Sequence, residues 1–185
     1  DPARNIVEKA RSEGLPIVCD YWPSASDQLL GQFDAIVCMN VVAHVDDPKA
    51  FIKACHAKLK PGGVLLIQPS QARMFGNYEF DTFYHEHISF FNTRSMGILA
   101  ESVGLKLLAT ALVKIHGDSP IYMLCHPDAP ADEALLGAFS NGDFSIAEDL
   151  VGYESKIRLF DHATYDAFRA HATSVVQSLV EEVKR

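Results

Sequence analysis

The sequence predicts an α/β fold with a parallel, doubly wound sheet, and three observations support this. Short apolar runs alternate with amphipathic helical segments along the first half of the chain. The run at residues 33–40 is long enough for a strand that is buried on both faces. The segment at residues 47–59 carries helix start and stop signals and separates two such runs. Strands that alternate with helices in this way form βαβ units, whose strands are parallel.

The first half divides into six elements. They are a helix over residues 2–14, a strand over 15–22, a helix from about Ser24, a strand over 33–40, a helix over 47–59 and a strand over 64–69. The helix at 47–59 is the clearest, because Asp47 can cap its start and a Pro-Gly-Gly turn follows its end.

The second half changes character. Residues 70–92 lack periodicity and are rich in aromatic side chains, which predicts a long functional loop or lid. A helix over 93–104 follows, and then two strands at 105–115 and 119–126, joined by a turn at 116–118. From Pro130 the pattern is helical, and it ends in a long amphipathic helix.

The composition is globular and argues against several kinds of partner. Of the 185 residues, 48% are apolar and 22% charged, and the formal net charge is −8. The acidic residues are spread along the chain, whereas nucleic-acid binding needs clustered Lys and Arg, so we expect no nucleic-acid partner. No apolar run is long enough for a bilayer, so we expect no membrane partner. The four cysteines show no C-x-x-C spacing, which favours a reduced, cytoplasmic protein.

The sequence Tyr84-His85-Glu86-His87 places four polar side chains together between aromatic residues. A histidine can act as a general base, a carboxylate can orient it, and a tyrosine hydroxyl can relay a proton or donate to an oxyanion. Alternate side chains of an extended backbone share a face, so Glu86 can reach His87 only if the chain turns there. A solvated loop is the alternative. A metal site is a second alternative, but structural zinc needs four ligands and none lies near in sequence, so we predict no metal.

Three stretches resemble a known family. FDAIVCMNVVAHVDDPKAFIKACHAKLKPGGVLLIQPS, residues 33–70, is similar to the second half of a class I S-adenosylmethionine-dependent methyltransferase domain. Within it, NVVAHVDD resembles a segment of the sugar C-methyltransferases that act on nucleotide-linked keto sugars. FDTFYHEHISFFN, residues 80–92, resembles the Tyr-His-Glu-His signature of that branch, and HGDS, residues 116–119, resembles its His-Gly-Gly-Ser. The resemblance covers nearly the whole chain.

This resemblance implies a fold, a cofactor and a reaction. The fold is a partial class I methyltransferase sheet, which is Rossmann-like, followed by a helical C-terminal segment. The cofactor is S-adenosylmethionine, and a carbon next to the ketone of a nucleotide-linked sugar receives the methyl group. By the same resemblance, His87 is the base, Tyr84 is the proton relay or oxyanion donor, and Glu86 orients the base. His85 is assigned a structural role.

The resemblance also assigns residues that bind the cofactor and the substrate. The expected cofactor contacts are Asp1, Asp20, Tyr21, Asn40 and His44, with Asp1 aligned to the acid that binds the ribose hydroxyls. The expected substrate contacts are His116 and Ser119. Asn40 could equally be a turn former and His44 a packing residue, and Asp20 and Tyr21 could be ordinary polar residues at a strand end.

Some parts of the family pattern have no counterpart in this chain. The first strand and its Gly-rich loop would precede Asp1, and the zinc-binding N-terminal domain and the Gly-rich part of the C-terminal domain are also not found. We therefore expect a middle portion of a longer protein, inactive by itself. Residues 1–128 would be a partial methyltransferase domain, and residues 129–185 the helical start of a C-terminal domain.

Three residues depart from the family pattern. Asp118 replaces a glycine, Ile121 stands where an arginine is common, and Gln68 replaces a glutamate. Losing a cation and gaining an anion disfavours a phosphate-bearing substrate. A non-catalytic binding or scaffold module that keeps the fold is therefore the competing function. A hydrolase has no support, because no Gly-x-Ser-x-Gly motif occurs.

Overall fold

The computed structural model describes residues 1–69, 73–113, 118–129 and 150–185. Within these ranges the helices are α1 (Arg4–Ser12), α2 (Pro48–Lys58), α3 (Met74–Asn77), α4 (Thr93–Glu101), α5 (Leu150–Lys156) and α6 (His162–Val183). The strands are β1 (Phe33–Met39), β2 (Leu59–Gln68), β3 (Lys106–Val113) and β4 (Ser119–Cys125). Short 3₁₀ turns lie at Ser24–Gln28, Val42–His44 and Phe80–Thr82. None of the helices in the described ranges is both long and apolar enough to cross a membrane.

The four strands form one mixed sheet in the order β1-β2-β4-β3. β1 and β2 are parallel, as the alternating pattern predicted, and α2 connects them. β4 runs antiparallel to both β2 and β3. The chain passes from β3 to β4 through a short connection, and only antiparallel neighbours can be joined that way.

The predicted strand at residues 15–22 is wrong, because no other strand pairs with this segment among the described residues. The carbonyl of Ile17 accepts a hydrogen bond from Arg11 (3.0 Å), and the carbonyl of Val18 accepts one from the backbone nitrogen of Asp1 (3.0 Å). Trp22 fixes the end of the segment, donating from Nε1 to the carbonyl of Phe51 at 3.1 Å. An apolar run becomes a strand only where a neighbour completes its ladder of hydrogen bonds.

The core covers both faces of the central strands. One cluster lies between the sheet and helices α2 and α4, and its larger members are Phe51, Ile52, Leu65, Ile67, Met96, Tyr122 and Leu124. Alternate residues of the strands form the opposite cluster, with Val64, Ala111, Val113, Ile121, Met123 and Cys125. Burial raises the pKa of Cys38 to about 11 and that of Cys55 to about 12, so both thiols stay protonated and pack as small apolar groups.

Residues 73–92, which we call the aromatic segment, pack against α5 and α6. The ring of Phe168 on α6 lies 5.0 Å from the ring of Phe75 and 5.9 Å from that of Phe83. Glu154 on α5 is buried, and its Oε1 accepts a hydrogen bond from the backbone N–H of Thr93 at 2.7 Å. A bond to a charged group contributes about 1.5–3 kcal/mol net, so this contact ties α5 firmly to the start of α4.

Gly76 in α3 makes the closest approach between the aromatic segment and α5. A Cβ atom at this position would meet the hydroxyl oxygen of Tyr153 well inside van der Waals contact and the Cζ atom of the same ring at 3.2 Å. The guanidinium of Arg73 also packs over the Tyr153 ring, with its Cζ 5.1 Å from the ring centroid. The ring therefore cannot easily move away.

We expect Gly76→Ala to lower the free energy of unfolding by about 1–3 kcal/mol, because overpacking displaces Tyr153. Gly97→Ala is the matched control: a Cβ added to Gly97 in α4 would have no atom within 4 Å, so this variant should gain up to about 1 kcal/mol from helix propensity. Urea unfolding measures both changes. Adding Tyr153→Phe to Gly76→Ala should recover part of the loss, and equal stabilities of the two alanine variants would contradict the packing described.

Candidate active site

The site begins where β1 and β2 end side by side. The backbone N–H of Asn40 donates to the carbonyl of Gln68 at 2.8 Å, which joins the two strand ends. Asn40 has φ of 54°, a left-handed conformation that asparagine tolerates better than most residues. Asn40 is therefore a turn former, and its exposed side chain also lies at the edge where ligands bind in open α/β sheets.

Three hydrogen bonds dock the Tyr-His-Glu-His loop onto the turn that follows β1. The carbonyl of Ala43 accepts from the backbone N–H groups of Ile88 (2.9 Å) and Ser89 (3.1 Å). The ring of His44 donates from Nδ1 to the carbonyl of Glu86 at 2.8 Å. These bonds bring His44 beside His87, with 4.9 Å between the ring centroids.

Tyr84 and His87 face each other across a tight turn. The backbone N–H of His87 donates to the carbonyl of Tyr84 at 3.0 Å, so the chain does turn here, as the catalytic assignment required. The hydroxyl oxygen of Tyr84 lies 3.2 Å from Nε2 of His87, and the two ring centroids are 4.3 Å apart. Tyr84 is 43% exposed, so a ligand can approach this pair from solvent.

The backbone fixes the proton position on both histidine rings. Nδ1 of His87 lies 2.8 Å from the carbonyl of Thr82, and a carbonyl can only accept, so Nδ1 of the neutral ring carries the hydrogen. Nε2 of His87 is then the lone-pair nitrogen and accepts from the Tyr84 hydroxyl. The same reasoning places the hydrogen of neutral His44 on Nδ1. In the neutral His87 ring, Nε2 can therefore accept a proton, as a general base must.

Glu86 lies in the same turn, but its carboxylate is not the group that holds His87. Its Oε1 is 3.9 Å from Nε2 of His85, and both side chains are largely exposed. The group at Nδ1 of His87 is the carbonyl of Thr82, which no side-chain motif could reveal. Glu86 takes part through its own backbone carbonyl, which accepts from His44.

The expected cofactor contacts Asp1, Asp20 and Tyr21 lie on neighbouring segments. The backbone nitrogen of Asp1 donates to the carbonyl of Val18 at 3.0 Å, and the Oδ1 of Asp1 accepts from the backbone N–H of Ala3. Asp20 accepts from the N–H of Tyr21 and from Gln28, both at 2.7 Å. The ring of Tyr21 is 70% exposed. The two carboxylates and the exposed Tyr21 side chain thus lie on adjoining segments, and Trp22 anchors the second of these to the first turn of α2.

The expected substrate turn is described in part. His116 lies outside the described residues, and Ser119, the first residue of β4, is fully buried. Asp118 has φ of 71° and pairs with Arg73 at 3.3 Å between Oδ2 and Nε. The extra negative charge at this position is therefore compensated by an arginine that the sequence motifs did not single out.

Comparison with known proteins assigns the fold to a family. A family model described as a methyltransferase domain matches residues 4–110, more than half of the chain. The chain belongs to the methyltransferase domain family. This methyltransferase domain also matches an S-adenosylmethionine-dependent methyltransferase structure from Clostridium acetobutylicum ATCC 824, with a TM-score of 0.50 and 15% identity, over 68% of this chain and 73% of that one. The likeness confirms the predicted fold class.

Two curated relatives match parts of this methyltransferase domain. C-methyltransferase NovU from Streptomyces niveus is 27% identical over 124 residues, which is 64% of this chain and 30% of NovU. The ubiquinone biosynthesis O-methyltransferase of Xanthomonas oryzae pv. oryzae (strain PXO99A) is 41% identical over 73 residues, covering 36% of this chain and 30% of the relative. The chain thus spans about 30% of the length of these relatives.

We expect the backbone-set tautomers to be visible in the nitrogen chemical shifts of the imidazole rings. At a pH where the rings are neutral, His87 and His44 should carry the hydrogen on Nδ1. His85 is the control, because its Nε2 faces the carboxylate of Glu86 and should carry the hydrogen instead. Tyr84→Phe should shift the Nε2 signal of His87 and leave His85 unchanged. A His87 ring protonated mainly on Nε2 would rule out the arrangement described.

Proposed function

We propose that this chain carries the catalytic loop of an S-adenosylmethionine-dependent C-methyltransferase that methylates a carbon next to a ketone. The observation that carries the proposal is the Tyr84–His87 hydrogen bond, with Nδ1 of His87 held by a backbone carbonyl and Nε2 turned to the tyrosine hydroxyl. The methyltransferase fold and the name of NovU support the class of reaction.

The residues present match the nucleoside end of the cofactor. The carboxylates of Asp1 and Asp20 can accept hydrogen bonds from ribose hydroxyls, and the exposed ring of Tyr21 can cover an adenine face. One oxygen of each carboxylate already accepts from a backbone N–H of its own segment, which fixes its direction. When bound, S-adenosylmethionine supplies an electrophilic methyl group.

The chain's own part in the reaction is proton removal and charge stabilisation. Nε2 of His87 takes the proton from the carbon next to the ketone, either directly or through the hydroxyl of Tyr84. In the direct route, Tyr84 donates its hydrogen bond to the developing enolate oxygen. The carbonyl of Thr82 holds the Nδ1–H of His87 throughout and favours the resulting imidazolium. The enolate carbon is then the nucleophile.

The substrate proposed from the resemblance is a nucleotide-linked keto sugar. The ion pair between Arg73 and Asp118 supports this substrate. Asp118 departs from the family pattern and adds a negative charge, but Arg73 neutralises that charge. A scaffold function is less well supported, since such a module has no need for an ordered base and hydroxyl pair.

O-methylation is a second candidate, because the chain is 41% identical to a ubiquinone biosynthesis O-methyltransferase over 73 residues. His87 could equally take the proton of a hydroxyl group. The two reactions differ in one measurable step, since only C-methylation requires removal of a carbon-bound proton, which exchange with solvent can report.

We expect His87→Asn in the full-length protein to lower kcat by about 10²–10⁴-fold, because asparagine can still donate to Thr82 but offers no base at the Nε2 position. His85→Asn is the matched control in the same loop and should change kcat by less than about threefold, since the His85 side chain is 89% exposed. Methyl transfer to a keto sugar nucleotide measures both. Binding of S-adenosylhomocysteine should be equal in the two variants.

Proton exchange separates the two candidate reactions. In deuterium oxide and without cofactor, the wild-type protein should exchange the proton next to the ketone, and His87→Asn should not. Methylation without any such exchange would favour the O-methyltransferase. A His87→Asn rate within about tenfold of wild type would remove His87 from the role of base.

A further inference from the structure

A cavity of about 590 Å³ lies between the aromatic segment and helices α5 and α6. Most of its wall is aromatic, and the rings that line it include Phe75, Phe80, Phe83, Phe90, Phe91 and Phe168. This volume is in the range of small-molecule sites, which are mostly apolar with a few polar groups that fix orientation. Of the residues assigned to the cofactor or the substrate, none that the structure describes lines it.

The cavity adjoins the candidate catalytic pair. Phe83 and Phe90 line the cavity and contact each other, with ring centroids 4.6 Å apart. The ring of Phe90 is also 5.9 Å from the ring of His87, edge to face. Phe83 precedes Tyr84 directly in the chain. A ligand in the cavity would therefore lie against Phe90, which borders the base, and against Phe83, which precedes Tyr84.

Glu154 is the buried polar group in the wall, with 6% of its surface exposed. Its Oε1 accepts the hydrogen bond from Thr93 at the start of α4, where the helix dipole also favours a negative charge. Among the described residues, no hydrogen bond reaches its second oxygen. The negative charge of Glu154 also acts on Tyr122: burial, and then this charge, raise the pKa of that hydroxyl.

The charges around the cavity select against anions. Among the described residues that line it, Arg169 is the one cation, and it is bonded to Asp166 on its own helix at 2.8 Å with its side chain 79% exposed. A phosphate or carboxylate inside would face the carboxylate of Glu154, and the described lining residues offer it no cation other than Arg169. Burial of such a charge without a partner is strongly unfavourable.

We propose that this cavity binds an uncharged flat ring that carries an N–H or O–H donor directed at the free oxygen of Glu154. The ring packs between the phenylalanines, and the rest of the ligand reaches Tyr84 and His87. This inference rests on the proposed function, because it names which part of the substrate the catalytic loop holds. Two sources share the required chemistry, namely the pyrimidine base of a nucleotide sugar and the phenol ring of an aromatic ketone.

The test is direct binding to the full-length protein by calorimetry, with probes that differ in the donor alone. The first pair is thymidine and N3-methylated thymidine, and the second is para-hydroxyacetophenone and para-methoxyacetophenone. The anionic probe is para-acetylbenzoate. In at least one pair, we expect the donor-bearing probe to bind about tenfold more tightly than its methylated analogue. The pair that shows this difference identifies the source of the ring, and para-acetylbenzoate should bind most weakly.

Two variants and a control locate the binding. Ala172→Trp places an indole in the cavity and should weaken the favoured probe at least about tenfold. Ala170→Trp, at an exposed position of the same helix, should have no effect. Glu154→Gln keeps an oxygen for Thr93 but removes the charge, and should reduce the preference for the donor-bearing probe to about threefold or less.

The outcomes separate this inference from the proposed function. If Ala172→Trp abolishes probe binding and Ala170→Trp preserves it, the cavity is supported as a binding site even if no methyl transfer is found. If Ala172→Trp leaves methyl transfer unchanged, the inference about the cavity is overturned while the proposed function stands. Binding of para-acetylbenzoate as tight as that of the favoured donor-bearing probe, or failure of every probe to bind, also overturns it.

Discussion

The backbone carbonyl of Ala43 holds the candidate site together. It accepts two N–H groups from the loop that carries Tyr84 and His87, while His44, the next residue, donates to that loop in return. Ordering a loop costs about 1–2 kcal/mol per residue, and neutral hydrogen bonds return about 1 kcal/mol each. These bonds alone cannot hold the loop, so the packing of its phenylalanines must supply the rest.

That packing comes from the far end of the chain. Phe168 on α6 contacts three rings of the aromatic segment, and Glu154 on α5 is bonded to the start of α4. The same contacts that order the loop also enclose the aromatic cavity. Loop order and the proposed ligand binding thus depend on one set of side chains, so a ligand that fills the cavity would also stabilise the loop that carries Tyr84 and His87.

The sequence predicted the secondary structure well where the local signals were strong. The helix after Asp47 has the expected cap, with Oδ1 accepting from Ala50 at 2.9 Å, and α4 begins with a capping box at Asn92. These signals act within a few residues, so they do not depend on the rest of the fold. The failure at residues 15–22 has the opposite cause, because a strand depends on a neighbour that local pattern cannot provide.

The sequence by itself determined the α/β class and the parallel pairing of β1 and β2, and it predicted a function for the Tyr-His-Glu-His loop. Only the tertiary structure decided which groups meet in that loop. It placed the carbonyl of Thr82, and not the carboxylate of Glu86, at Nδ1 of His87, and it brought Glu154 to Thr93 across 61 positions. Backbone carbonyls are common to every residue, and contacts across such separations follow from packing, so neither leaves a pattern in the sequence.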